Sequence, residues 1–237
     1  MTTINNSQLL RKFYKLKERF VEKVRMSQTP VKGFVLGLSG TDSIVTAMLL
    51  NELSESCPVP LQIHAFHYVE NVEKLSSFQK NRMDKWFSNN CPSVVVQVKE
   101  LASGNFDQFR WADQHYFAIE HGLWVVSTMN ATEKELGTYS IMNKSASIAP
   151  IQSLYKTEVL ELCKLNSVPD EQIQLSSLPD CACGRDEFAA EHIKEIDDLL
   201  RNEISTATSI ETWQKVAEYV KETKRLNSFK TRTPYSI

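Results

Sequence analysis

The sequence predicts a doubly wound α/β fold, a mainly parallel sheet with helical additions at the N- and C-terminal ends. Two observations carry this. Short apolar, strand-like runs alternate four times with longer helical patterns, and such alternation builds right-handed βαβ units. The first strand also passes through small and hydroxyl residues (LSGTDS, Leu38–Ser43) straight into an apolar helical pattern. A strand–loop–helix unit of that kind usually cradles phosphate.

The elements follow in order. Residues 7–27 place Leu9, Phe13, Leu16, Phe20 and Val24 three or four apart, which predicts an amphipathic opening helix. Gly33–Leu38 reads as a short buried strand, and Asp42–Glu55 as a helix apolar over much of its circumference. Leu61–Tyr68 is strand-like, 71–89 is a polar-rich helix whose Lys74, Lys80, Arg82 and Lys85 suit a solvated face, and SVVVQVKE from Ser93 is a strand with β-branched residues. Phe106–His121 is helical and LWVVST from Leu123 is the fourth strand. Tyr155, Val159, Leu162 and Cys163 mark a further helical stripe. After a coil rich in Ser, Pro and Cys come two more helices, one carried by Ile193, Ile196 and Leu200, the other by Ile210, Trp213, Ala217 and Val220. The end, KRLNSFKTRTPYSI, is basic and expected to be poorly structured. Trp111, Trp124 and Trp213 fall in apolar patterns and are expected in the core.

At 237 residues the chain suits one domain over 1–237, with a core of about 30–166 and a C-terminal loop and helices over about 167–237. A composition of 42% hydrophobic and 24% charged residues argues against disorder, and a net charge of −2 gives no reason to expect nucleic acid or an anionic membrane as partner. No apolar run approaches the ~20 residues that span a bilayer, and the N-terminus has no secretory core. Five dispersed cysteines form no even framework, which suits a reducing, cytoplasmic setting.

In open parallel sheets, ligands sit beyond the carboxyl ends of the strands. Two segments meet that condition: SGTDS after the first strand and STMNATE after the fourth. SGTDS offers backbone N–H groups, two hydroxyls and a helix N-terminus, all suited to an anion. Asp42 is the exception, since a carboxylate beside phosphate needs a cation between them, and Mg²⁺ with Asp42 as ligand supplies one. The alternative is that Ser39 and Asp42 only cap the helix. Lys156 opens its own helix, where a cation opposes the dipole by roughly 0.3–1 kcal/mol. Phosphate would explain that placement; a surface lysine is the plainer alternative. Asn130 and Glu133 have capping-box spacing.

The segment LSGTDS resembles the PP-loop, SGGxDS, of the N-type ATP pyrophosphatases, and the order of motifs resembles the NAD⁺ synthetase family. That family follows its loop with GTGN-x-[ST]-E-x-x-x-G and then P-[IL]-x-x-LYKT-x-V; here stand STMNATEKELG (Ser127–Gly137) and PIQSLYKTEVLELCKL (Pro150–Leu165). VPDEQI (Val168–Ile173) and CGRDEF (183–188) stand where the family has VPEEI and GQTDEDE, and the similarity spans about residues 5–232. The resemblance implies an adenine nucleotide α-hydrolase-like fold and an ATP- and Mg²⁺-dependent ligase. Such an enzyme adenylates a carboxylate, releases pyrophosphate and transfers ammonia with loss of AMP. It implies that Ser39, Gly40, Thr41, Asp42, Ser43, Thr128, Lys156 and Ser177 bind ATP, that Asp42 and Glu133 hold Mg²⁺, and that Asn130 lies on the substrate side. Asp42, Glu133 and Lys156 are then the catalytic set. It also implies a homodimer. The chain leaves no segment for a glutaminase domain, so ammonia is expected free or from a partner.

Three departures stand out. The loop has one residue fewer than SGGxDS and loses a glycine amide. TYSIMNKSASIA, between Gly137 and Pro150, has no counterpart to the family's glycine–aspartate pair. DCACGRDE carries two cysteines and an arginine where relatives are rich in acid and hydroxyl. The first concerns ATP and the other two the acceptor, so a different carboxylate is a real alternative. Sulfur insertion through Cys181 or Cys183 is a second reading, and a nucleotide-binding relative without turnover a third. A zinc site would need about four ligands, which the dispersed cysteines do not supply. His64 and His67 lie three apart on one strand and so face opposite ways. The tail's Lys221, Lys224, Arg225, Lys230 and Arg232 could reach phosphates or simply be solvated.

Overall fold

The computed structural model describes residues 5–27, 30–58, 60–69, 77–101, 106–176, 186–203 and 208–232. Helix α1 (Asn6–Arg25) is started by the Asn5 side chain, which accepts hydrogen bonds from the Ser7 and Gln8 amides. Its stripe of Leu9, Phe13 and Phe20 is buried, as the spacing predicts. Strand β1 (Gly33–Gly37) leads to α2 (Thr41–Ser56), β2 (Gln62–Val69), α3 (Ser77–Asn90), β3 (Val94–Glu100), α4 (Phe106–His121) and β4 (Trp124–Val126). The four strands are parallel and ordered β3-β2-β1-β4. The chain therefore builds outward from β1 to β3, then returns to place β4 on the other side of β1. That reversal makes the carboxyl ends of β1 and β4 the topological switch point, where such sheets hold ligands.

The sheet is covered on both faces. Phe34, Leu36, Ile63, Ala65, Val94 and Val126 point into the larger core with residues of α1, α2 and α3. Val35, Phe66 and Val125 alternate to the other face, against Trp111 and Ala118 of α4. Helix α2 is buried nearly all round because α1 and α6 (Lys156–Leu165) pack on the side away from the sheet. That explains an apolar pattern with no polar stripe.

Short helices α5 (Ala131–Leu136), α7 (Asp170–Leu175) and α8 (Glu187–Glu191), then α9 (Ile193–Leu200) and α10 (Ile210–Asn227), complete the chain. Leu136, Ala189, Ile196, Leu200, Val216 and Val220 form a separate apolar cluster, which seats α8, α9 and α10 on α5. No helix among the described residues is long and apolar enough to cross a membrane.

Two expectations need correction. The basic end is ordered at least to residue 232: α10 runs to Asn227 and a 3₁₀ turn covers Ser228–Arg232. Lys230 supplies the reason. Its Nζ donates to the Gly137 and Tyr139 carbonyls at 2.9 Å each, meeting acceptors left free where α5 ends. Trp213 is only half-buried, whereas Trp86, in the helix read as solvated, is buried beside Phe87. The stretch 71–76 and the side chains of Lys80 and Arg82 lie outside the described residues.

Candidate functional site

Beyond Gly37 the chain makes one more ladder bond, from the Leu38 amide to the Phe66 carbonyl at 2.8 Å, and then turns into α2. Gly40 is the N-cap of α2, in an extended conformation and with no side-chain cap. A Cβ on Gly40 would lie 2.9 Å from Ser176 Oγ, so a side chain there would displace that hydroxyl. The Ser39 amide donates to Ser43 Oγ at 2.9 Å, Ser43 Oγ donates to the Gly40 carbonyl at 2.7 Å, and the Thr41 amide donates to Ser176 Oγ at 3.0 Å. Two loop amides thus face oxygen acceptors, and a phosphate oxygen is chemically equivalent in that position.

The capping alternative for Ser39 and Asp42 does not hold. Asp42 turns its carboxylate away from its own helix: Oδ2 pairs with Lys156 Nζ, and Oδ1 accepts from Asn130 Nδ2 at 2.7 Å. Lys156 Nζ also donates to Thr41 Oγ1 at 2.9 Å. Lys156 is 5% exposed at the first position of α6, so it is a buried cation and not a surface one. The helix dipole disfavours it there and Asp42 compensates. One aspartate therefore ties together the loop after β1, the segment after β4 and the start of α6.

Asn130 is the hinge of this arrangement. Its Oδ1 accepts from the Glu133 amide at 2.9 Å while Glu133 Oε2 accepts from the Asn130 amide at 3.2 Å, a complete capping box on α5. Its side-chain nitrogen donates to Asp42. The two carboxylates are thus bonded to one residue between them. No group of three or more His, Cys, Asp or Glu side chains that could hold a metal ion exists among the described residues. A pair suffices for Mg²⁺, which typically takes one or two carboxylates and completes its shell with phosphate and water oxygens. Thr128 is half-buried on the segment after β4. Ser177, Cys181 and Cys183 lie outside the described residues. The hydroxyl brought to the loop is their neighbour Ser176.

Thr132, Thr157 and Asp197 have no counterpart in the sequence reading. The first amides of α6 are closed off by protein oxygens: Lys156 N–H by Thr132 Oγ1 at 2.9 Å and Thr157 N–H by Asp197 Oδ2 at 2.8 Å. Helix α6 therefore offers an anion its lysine and not its N-terminus. Asp197 is fully buried, and that burial pushes its carboxyl upward against the hydrogen bonds from Thr132 and Thr157 that hold it down. Cys163 lies beneath the loop, with Sγ 3.8 Å from the Thr41 carbonyl, and burial pushes its thiol up to about 12. Its burial gives it the surroundings of a structural thiol. His67 Nδ1 meets the Leu38 carbonyl at 2.9 Å, beside the loop, whereas His64 Nδ1 is buried without a partner and its pKa is lowered by burial and by His121.

The segment after α5 is pinned by its own polar residues. Ser140 donates to Asp107, Asn143 Oδ1 accepts from Ser127 Oγ at 2.7 Å, and Ser145 Oγ lies 2.8 Å from His115 Nε2. Among the described residues, Cys57, Cys91 and Cys163 are free thiols.

Replacing Ser176 by Ala is expected to leave the buried Thr41 N–H without an acceptor, lowering unfolding stability by about 1–3 kcal/mol. Denaturant unfolding measures this. An unchanged unfolding midpoint would contradict the contact.

Comparison with known proteins adds the following. The sequence model of the NAD synthase family matches residues 13–234. The chain is 27% identical over 228 residues to the NH(3)-dependent NAD(+) synthetase of Wolinella succinogenes, covering 88% of this chain and 89% of that protein. Among solved structures, NMN synthetase from Francisella tularensis superposes with a TM-score of 0.69 at 20% identity, covering 95% and 98% of the two chains. The NH3-dependent NAD synthetase from Campylobacter jejuni gives 0.66 at 19% identity, covering 97% and 98%. At these identities the superpositions speak for the fold.

Proposed function

The chain belongs to the NAD synthase family, and on that premise we propose that its switch-point site binds ATP and Mg²⁺ to activate the carboxylate of nicotinate adenine dinucleotide. The enzyme is an ammonia-dependent, NAD⁺ synthetase-like ligase. The observation that carries the site is the convergence of Lys156, Asn130 and Asp42 between the two loops.

The chemistry has two displacements. A carboxylate oxygen of the acceptor forms a bond to the α-phosphorus of ATP as the bond to the β-phosphate oxygen breaks, and pyrophosphate leaves with that electron pair. The nitrogen lone pair of ammonia then attacks the acyl carbon of the adenylate. AMP leaves with the carbon–oxygen pair, and the nitrogen sheds a proton to give the amide. The chain's part is positioning and charge. The loop amides of Ser39 and Thr41 exchange hydroxyl oxygens for phosphate oxygens. Lys156 moves its ammonium from Asp42 to the phosphates, where negative charge develops on leaving pyrophosphate. Asp42 and Glu133 would hold Mg²⁺, which supplies further positive charge to the triphosphate. Thr128 would contact the nucleotide, and Ser177, next to Ser176 in the sequence, would follow the phosphates.

The exposed apolar side chains Phe109, Tyr116 and Ile119 on α4 support self-association. We take the chain to act as a homodimer in the cytoplasm; a monomer in sedimentation velocity at working concentrations would remove that part.

The test is pyrophosphate release with ATP, Mg²⁺ and ammonium. Nicotinate adenine dinucleotide should stimulate it strongly. Stimulation by nicotinate mononucleotide alone would keep the ligase and change its acceptor. No release with any carboxylate would overturn the proposal.

A further inference from the structure

The two helices that carry the site, α5 and α6, begin side by side, and the Ala131 amide at the start of α5 donates to the Leu154 carbonyl just ahead of α6 at 2.7 Å. A buried carboxylate from the C-terminal helices joins them a second time. Asp197 on α9 is 0% exposed and spends both oxygens on them: Oδ1 accepts from Thr132 Oγ1 at 2.5 Å, and Oδ2 accepts from the Thr157 amide and from Thr157 Oγ1 at 2.8 Å each. A threonine hydroxyl has one proton. Since both hydroxyls give theirs to Asp197, their lone pairs must face elsewhere. Thr132 Oγ1 accepts from the Lys156 amide at 2.9 Å, and Thr157 Oγ1 accepts from the Arg201 guanidinium at 2.8 Å. The carboxylate thus sets which way each hydroxyl points, and so where Lys156 begins its helix. Thr132 directly precedes Glu133, and Thr157 directly follows Lys156.

We propose that Asp197 is a positioning residue of this site, clamping the first turns of α5 and α6 together so that Lys156 stands opposite Asp42 and Asn130. It touches no reacting atom and acts through Lys156. This rests on the reading of Asp42, Glu133 and Lys156 as the nucleotide site. It gives α9 a part in a site otherwise built from the loops after β1 and β4, the start of α6 and Ser176 at the end of α7.

A double-mutant cycle on MgATP affinity, measured calorimetrically on the full chain without acceptor, separates this role from a general loss of packing. Asp197→Asn should weaken MgATP binding about tenfold in the wild-type background. In a Lys156→Ala background it should change affinity less than about twofold, because the group it positions is gone. Thr132→Val removes the hydroxyl between Asp197 and Lys156 and should act like Asp197→Asn, while Thr132→Ser keeps the hydroxyl and should restore wild-type affinity. The threonine pair carries the test if Asp197→Asn does not fold. Additive losses in the cycle, or equal losses in Thr132→Ser and Thr132→Val, would overturn the positioning role. A wild-type chain that binds no MgATP would instead overturn the reading of the site itself.

Discussion

Lys156→Ala should reduce ATP-dependent turnover by about 10²–10³-fold, the cost of removing one preorganised charge from a developing anion. The same change should also destabilise the chain without nucleotide, because Asp42 loses its counter-charge in a largely buried place and keeps only Asn130. Breaking one partner out of a buried pair costs about 3–5 kcal/mol, and the partial exposure of Asp42 puts the expectation at the lower end of that range. The two effects can be pulled apart. Lys156→Met combined with Asp42→Asn neutralises both partners and should recover most of the stability while recovering none of the activity. Denaturant unfolding and initial rates, measured on the same preparations, check this. Activity returning together with stability would mean that the pair is structural and that phosphate is held elsewhere.

Glu133→Gln should have the next largest effect, and it distinguishes two roles that the position combines. A capping box works with Gln as well as with Glu, so the hydrogen bond to the Asn130 amide survives and stability should change by less than about 0.5 kcal/mol. The charge does not survive. With one carboxylate of the pair gone, turnover should fall by about a hundredfold or more, and the Mg²⁺ concentration giving half-maximal rate should rise by about tenfold or more. Magnesium titration of the initial rate is the measurement. A Gln variant with wild-type magnesium dependence would leave Glu133 as a cap and nothing else.

How far the sequence carried the account differs from element to element. The strands were legible because a parallel sheet covered on both faces leaves apolar runs, and the rule about carboxyl ends pointed at SGTDS and STMNATE before any contact was known. The strand order was not, since nothing local says that β4 returns beside β1 and not beyond β3. Asp42 and Lys156 were each legible as charges in unfavourable places, a carboxylate by an anion loop and a cation at a helix start. Their direct pairing was not, because it joins residues 114 positions apart. Asp197 left a trace that periodicity reasoning passes over: it falls in the apolar stripe of Ile193, Ile196 and Leu200, where a carboxylate must find partners or unfold the helix. Ser176 left none, since a serine at the end of a short helix looks like any other cap. The ordered basic tail escaped for a related reason. Lys230 is held by two carbonyls, and a lysine bonded to backbone has the same sequence signature as one in solvent.

The loop's lost residue also has a physical reading. With a single glycine between Ser39 and Thr41, the turn is tight enough that hydroxyls from Ser43 and Ser176 satisfy its amides. On the proposed reading, binding ATP would exchange one set of oxygens for another and leave no unpaired N–H on release. The short loop is compatible with turnover on this account, and the acceptor side holds the larger differences from the family pattern.

The most direct test of the central claim is the fate of the nitrogen. The full chain would be incubated with ATP, Mg²⁺, nicotinate adenine dinucleotide and ¹⁵N-ammonium, and the products resolved by mass spectrometry. The account predicts a dinucleotide carrying one ¹⁵N in its carboxamide, formed mole for mole with AMP and pyrophosphate. ADP and phosphate as the nucleotide products, or AMP formed with no ¹⁵N in any amide, would contradict it.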